Sequence, residues 1–316
     1  MTAPQPLRLA NGRLAALAWG DPGAPAWLAL HGWLDNAASF SRLAPLLVER
    51  LGIRLVAIDF AGHGHSAHSP GDYAIWDYCD DVLDAVEALG EASPTLLAHS
   101  MGAGVACLVA AALPERVGRL ALIDGLGAVT SPAEEAPRQL RRGLLGHRRP
   151  PSRGSRYADE EAAVAARVKG GATPVDAATI RPVVARNLRP LPDGRQGWRS
   201  DPRLVRPSPV RLTPAQVKAC LAAIACPALL VEGEGGILGE GQRARAARAV
   251  LPGLERRVLP GGHHLHLEPG AVAAVAEAIT AWAEGPSAAR RAGRPEVPAD
   301  RPGRENADSR ERRTES

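Results

Sequence analysis

Short strand-like runs alternate with helix-patterned stretches through most of this chain, and that alternation constrains the fold more than any other feature. The runs at residues 27–30, 54–58, 95–98, 120–123, 228–231 and 255–259 are brief and as a set apolar, the pattern of strands in a parallel sheet buried on both faces. Between them, Ile75, Tyr78, Val82, Val86 and Leu89 recur at steps of three and four, which places one apolar stripe on a helix. Residues 101–113 and 271–282 read as further helices. Two earlier runs, 7–10 and 14–19, flank Asn11-Gly12, a two-residue hairpin signal, so the chain is expected to open with antiparallel strands. The pattern predicts an α/β class, a mostly parallel sheet flanked by helices, with its chemistry at the carboxyl ends of the strands.

The alternation lapses between Gly127 and Leu212. Helix-like pieces at 159–169 and 175–187 are separated there by Arg-, Pro- and Gly-rich connections with no convincing strand, and the strand pattern resumes at Pro227. The expected organisation is therefore a core at 1–127, an inserted helical cap at 128–212, a second part of the core at 213–284 and a tail at 285–316. The tail has eight Arg and six acidic residues and almost nothing apolar, so it is expected to be disordered.

Charge is spread unevenly. The chain carries a formal +4, yet residues 129–209 alone hold sixteen Lys or Arg against eight acids. These arginines come without interleaved aromatics or a recognised binding motif, so no nucleic-acid partner is expected. If Arg138, Arg141 and Arg142 stand at a pocket mouth, they instead favour anionic small molecules. No apolar run approaches the ~20 residues that span a bilayer, and residues 1–12 lack the basic-then-apolar order of a secretory signal. A cytoplasmic protein with no membrane partner is expected; oligomeric state is not legible. The cysteines, Cys79, Cys107, Cys220 and Cys226, form no C-x-x-C pair and imply neither disulfides nor zinc.

The strongest chemical signal is Leu96-Leu-Ala-His-Ser-Met-Gly-Ala-Gly104, an apolar strand turning at Ser100 into a small-residue helix. A nucleophilic serine on so sharp a turn needs small neighbours two residues away on either side, and Ala98 and Gly102 supply them, with Ala98 replacing the usual glycine of G-x-S-x-G. A serine capping the helix is the plain alternative. A second signal, Leu30-His-Gly-Trp-Leu-Asp35, follows an earlier strand, and the backbone N–H groups of Trp33 and Met101 occupy the positions of an oxyanion hole. His31 reads as a structural histidine. The third signal, Leu259-Pro-Gly-Gly-His-His-Leu-His-Leu-Glu-Pro269, offers His263 as general base on a loop at the same end of the sheet. Its histidines, and a second cluster His63-Gly-His65-Ser-Ala-His68, also raise a metal reading. The second cluster resembles H-x-H-x-D-H but has Ala67 in place of the aspartate.

Taken together, His31-Gly-Trp-Leu-Asp-Asn36, Asp59-Phe-Ala-Gly-His-Gly-His-Ser66, Ala98-His-Ser-Met-Gly102 and Gly262-His-His-Leu-His-Leu-Glu-Pro269 resemble the α/β-hydrolase superfamily, the first two most closely its serine hydrolase-like proteins. The resemblance implies an α/β-hydrolase fold and a hydrolase without metal or other cofactor, of unsettled substrate; attack by a serine on an acyl carbon would itself suit a small acyl compound such as an ester. The resemblance also implies that Asp59, Gly62, Gly64 and Ser66 form a tight architectural turn. The acid departs from the common pattern: where most such proteins have G-x-x-D, this chain has Gly233-Glu-Gly-Gly236. A minority, some dehalogenases among them, place the acid one strand earlier, where this chain has Asp124; Glu232 and Glu234 stand as alternatives. Two functions therefore remain open: a serine hydrolase with a Ser100, His263, Asp124 triad, or a non-catalytic ligand- or partner-binding module on the same fold.

Overall fold

The computed structural model describes residues 3–150 and 154–285, so the expected disorder of the tail lies outside the described residues except at Gly285. An eight-stranded sheet organises the molecule. In chain order its parts are β1 (Gln5–Leu9), β2 (Leu14–Trp19), β3 (Ala26–Leu30), α1 (Leu43–Leu51), β4 (Arg54–Ile58), α2 (Asp77–Leu89), β5 (Thr95–His99), α3 (Met101–Ala112) and β6 (Arg119–Ile123). An excursion follows, with α4 (Ala136–His147), β7 (Arg156–Tyr157), α5 (Glu160–Gly170), α6 (Ala177–Asn187), β8 (Leu188–Pro190) and β9 (Gln196–Trp198). The sheet is then completed through α7 (Pro214–Ala223), β10 (Ala228–Gly235), α8 (Gln242–Val250), β11 (Glu255–Gly262) and α9 (Val272–Glu284).

Strand order is β1-β2-β4-β3-β5-β6-β10-β11, antiparallel at β1/β2 and β2/β4 and parallel elsewhere. Strand residues alternate between two cores, as the period-two geometry of a strand requires. Leu28, Leu30, Leu96, Leu120 and Leu230 pack with Tyr78, Val82 and Leu221 on one face. Ala29, Leu55, Leu97, Ile123 and Leu229 pack with Leu47, Val275 and Ile279 on the other. β11 is an edge strand and, unlike the buried strand expected at 255–259, leaves Arg257 and Val258 exposed. The opening hairpin also differs from expectation: Leu9 pairs with Leu14, leaving a four-residue loop in which Ala10, Asn11 and Gly12 all have positive φ.

The excursion between β6 and β10 is not wholly helical. β7, β9 and β8 form a three-stranded antiparallel sheet that the sequence reading did not anticipate. Ala163, Val164, Ile180, Val183 and Val184 pack there around Leu267 of the loop before α9. Further bonds fasten it to the main sheet: Asn36 Nδ2 donates to Val183 O (2.8 Å), and Arg42 Nη2 to Ala178 O (2.8 Å). The firmest attachment is at Asp59, a fully buried carboxylate just past β4. It accepts from Ala37 N (2.7 Å), His65 N (2.8 Å) and the Arg186 guanidinium (2.7 and 3.2 Å). Gly64 is required beside it, since a β-carbon there would stand 2.4 Å from Asp59 Cγ.

Candidate active site

Ser100 joins β5 to α3 with φ 51° and ψ −114°, a conformation that side-chain-bearing residues rarely adopt. Small neighbours make it tolerable. A β-carbon on Gly102 would lie 2.4 Å from Leu30 O, and one on Gly125 would lie 2.6 Å from Ser100 O. Ala98 is fully buried in β5 between Leu30 and Leu122, so the glycine position of the motif holds a buried methyl group here.

The structure brings Ser100, His263 and Asp124 together. His263, just after β11, has Nε2 at 2.9 Å from Ser100 Oγ and Nδ1 at 2.6 Å from Asp124 Oδ2. An ionised carboxylate only accepts, so Nδ1 carries the ring proton and Nε2 is left to accept from the serine hydroxyl. The loop bearing His263 is fixed from within: Gly262 N donates to both oxygens of Glu268 (2.9 and 3.1 Å), a role for Glu268 that no motif signalled.

Asp124 follows β6 directly, with φ 41°, and also accepts from Ile237 N (2.9 Å). The other two candidate acids are elsewhere. Glu232 is buried between Arg248 (2.8 Å) and Arg256 (2.7 Å), and Glu234 is exposed. The glycine in the usual acid slot has a spatial reason, because a β-carbon on Gly236 would meet Asp124 Oδ1 at 2.2 Å.

The loop after β3 passes over the serine: a β-carbon on Gly32 would lie 3.2 Å from Ser100 Cβ. Neither the Trp33 N–H nor the Met101 N–H has an acceptor among the described residues. The Trp33 indole donates to Leu204 O (3.1 Å) in the excursion. His31 is buried, with Nδ1 at 2.7 Å from Gly32 O and Nε2 accepting from Phe60 N at 3.0 Å, and burial holds it below the ordinary histidine range. It is a structural histidine, as read.

The second histidine cluster disperses. His63 accepts from Leu34 N (3.3 Å), while His65 and His68 reach Arg186 O and Arg199 O. Around the first cluster, Asp35, His99, His264 and His266 are all buried. Asp35 meets His264 Nε2 (3.1 Å) and Arg167 (3.2 Å), and His266 Nε2 meets Ser39 Oγ (2.7 Å). Burial alone raises the Asp35 carboxyl, but the charges of His264 and Arg167 outweigh it and hold the group well below the usual carboxylate range. His99 is pushed well below its ordinary range by burial and by the neighbouring histidines.

Ser100 and His263 open onto a cavity of about 1540 Å³ bounded on its far side by the excursion. Arg138, Arg141 and Arg142, for which a place at a pocket mouth was the condition of favouring anions, are not among its lining residues; α4 leaves their side chains exposed. Arg149, Arg156, Arg167, Arg189, Arg199 and Arg206 line it instead. Its acids, Asp35 and Asp201, are already engaged, Asp201 by Arg203 and Tyr73 (both 2.7 Å). No helix of the described residues is long and apolar enough to cross a membrane.

A strained serine, a histidine and an aspartate at the carboxyl ends of parallel strands mark a hydrolase of the α/β class, and comparison with known proteins agrees. The family model for the alpha/beta hydrolase fold matches residues 25–269, and the chain belongs to that superfamily, close to its serine hydrolase-like proteins. A serine hydrolase-like protein of Dictyostelium discoideum is 33% identical over 273 residues, 81% of this chain and 74% of that protein. The crystal structure of a Pseudomonas aeruginosa PAO1 protein titled as hypothetical is 45% identical, with TM-score 0.80 over 89% of this chain and 99% of that one. A thioesterase domain from the curacin biosynthetic pathway shares the fold at 24% identity and TM-score 0.74, over 88% of this chain and 98% of its own.

Proposed function

We propose that the protein is a serine hydrolase of acyl compounds, esters or thioesters, working through an acyl-enzyme. The observation that carries this reading is the unbroken contact from Ser100 Oγ through His263 to Asp124. In the first step His263 Nε2 takes the hydroxyl proton as Ser100 Oγ bonds to the acyl carbon, and Asp124 stabilises the resulting imidazolium. The carbonyl oxygen gathers negative charge, and the Trp33 and Met101 N–H groups receive it. The imidazolium returns its proton to the leaving alcohol or thiol as the tetrahedral intermediate collapses. Water, deprotonated by the same Nε2, then attacks the ester on Ser100, and the acid product leaves with Ser100 regenerated. The excursion between β6 and β10 serves in this reading as a cap that frames the acyl site.

The binding-module alternative drew on the glycine at 236. Asp124 beside that glycine favours the enzyme reading, since the site has an acid without it. A fluorophosphonate probe tests the proposal: rapid labelling abolished by Ser100→Ala is expected, and a folded protein that resists labelling would sink it.

A further inference from the structure

Next to the proposed triad lies a cluster that the reaction does not use. Asp35, His99 and His264 are buried, border the cavity, and each offers one ligand atom within 4.8 Å of the others. His99 Nε2 lies 2.9 Å from His263 O, which can only accept, so Nε2 carries the ring proton and Nδ1 is left with a lone pair. Nδ1 has no hydrogen-bond partner among the described residues and faces Asp35 Oδ2 at 3.8 Å. Two electron-pair donors thus confront each other with no hydrogen between them. The same Oδ2 stands 3.1 Å from His264 Nε2.

We propose that Asp35 Oδ2, His99 Nδ1 and His264 Nε2 form a binding site for a divalent transition-metal ion such as Zn²⁺. Nitrogen and oxygen ligands at ~2.0–2.2 Å in tetrahedral geometry lie roughly 3.4 Å from one another, and the 3.1 and 3.8 Å separations straddle that value. Two imidazoles and a carboxylate suit zinc, cobalt or nickel, and the cavity leaves the fourth position to water. His99 already makes the contact that orients a ligating imidazole, its other N–H on a backbone carbonyl. When the ion binds, it displaces the proton that His264 Nε2 shares with Asp35 Oδ2, and that proton leaves to solvent through the cavity. Arg167 stays on Asp35 Oδ1 at 3.2 Å. A guanidinium so close weakens cation binding, which makes the site exchangeable rather than structural.

The ion would act on the neighbouring machinery. The His99 and His263 rings are 4.6 Å apart between centroids, so a divalent charge on His99 opposes the positive charge His263 acquires in the first step. This consequence rests on the proposed hydrolase reading; the binding site does not.

The test uses two readouts on the full chain. Co²⁺ titrated into the Ser100→Ala protein is followed by its visible absorption, and Zn²⁺ is added to wild-type protein during fluorophosphonate labelling. The expected result is a tetrahedral cobalt spectrum saturating at one equivalent, with affinity lowered at least about tenfold by His99→Gln and by Asp35→Asn but unchanged by Cys79→Ser or His68→Gln. Circular dichroism checks each variant's fold, and His264→Gln replaces any variant that does not fold. Undiminished affinity in the folded variants, or no cobalt spectrum at millimolar metal, overturns the proposal. Cobalt binding that needs His99 in a protein whose serine is never labelled would retain the metal site and discard the hydrolase; labelling without cobalt binding would do the reverse.

Discussion

The backbone of Gly236 lies against the carboxylate of Asp124 so closely that the two positions cannot both carry a side chain: a β-carbon at 236 would stand 2.2 Å from Oδ1 and 2.6 Å from Cγ. Gly236→Ala must therefore push Asp124 away from His263. Because a 1 Å misplacement of a catalytic group costs on the order of a hundredfold, kcat should fall by about that factor while the protein stays folded. A steady-state assay paired with circular dichroism checks this, and near-normal turnover would contradict the geometry.

Asp124→Asn removes the acceptor that fixes the His263 tautomer. The expected loss is roughly a thousandfold to ten-thousandfold in kcat with KM little changed. Glu234→Gln, at an exposed position, should leave both parameters near wild type. The two variants are compared on one ester at equal folded fraction; a collapse in Glu234→Gln instead of Asp124→Asn would reassign the acid.

Stability should fall well before the pH at which carboxylates titrate. Burial, then the charge of His31, lowers His63 to about 3, whereas an unfolded histidine titrates near ~6.5. Below that unfolded value the unfolded chain takes up a proton that the folded one refuses, so the stability held above it is lost progressively as pH drops towards 3. Asp201 adds a second loss at lower pH. Burial raises its carboxyl, but hydrogen bonds from Arg203 and Tyr73 prevail and hold it at about 2, so its contribution is present above the unfolded carboxylate range and disappears as pH falls through about 2. Melting temperature measured from pH 8 to 4 should decline below about 6.5. His63→Gln should start lower and decline less steeply; parallel curves would exclude His63 as a source.

Six arginines line the cavity against two acids, Asp35 and Asp201, that are already engaged, so the cavity carries net positive charge. Of two matched esters, the one bearing a free carboxylate should have the higher kcat/KM at low salt, by about tenfold, with the gap closing near ~0.5 M salt. Arg199→Ala should narrow it. Equal values for both esters at every salt concentration would refute the idea.

What the sequence revealed, and what it hid, follows from the range of the interactions involved. Strands β3 to β6 and β10 were legible because both their faces are buried, which forces runs such as Leu96-Leu-Ala98 to be apolar throughout. Ser100 and His263 were legible because each needs small or glycine neighbours along the chain. Asp124 could only be ranked against Glu232 and Glu234, since the facts that distinguish them, the Gly236 contact and the arginines around Glu232, join residues distant in sequence. β7, β8 and β9 were invisible because strands of two or three residues show no periodicity. Gly143 and Gly146 let α4 lie against Pro209 and Pro207, a contact between segments too far apart in the chain for local pattern to show.

The Asp59 carboxylate also bears on how such a molecule can diversify. Three segments far apart in the chain, at Ala37, His65 and Arg186, converge on one buried charge. A chimera that exchanged the whole excursion for a foreign one would inherit that aspartate without its arginine, leaving an unneutralised charge in the interior at a cost of about 3 kcal/mol or more. Recombination at the obvious junctions after β6 and before β10 is therefore handicapped unless the donor brings an arginine of its own to the same spot. New specificities in this scaffold are more accessible through substitutions inside the existing excursion than through its replacement.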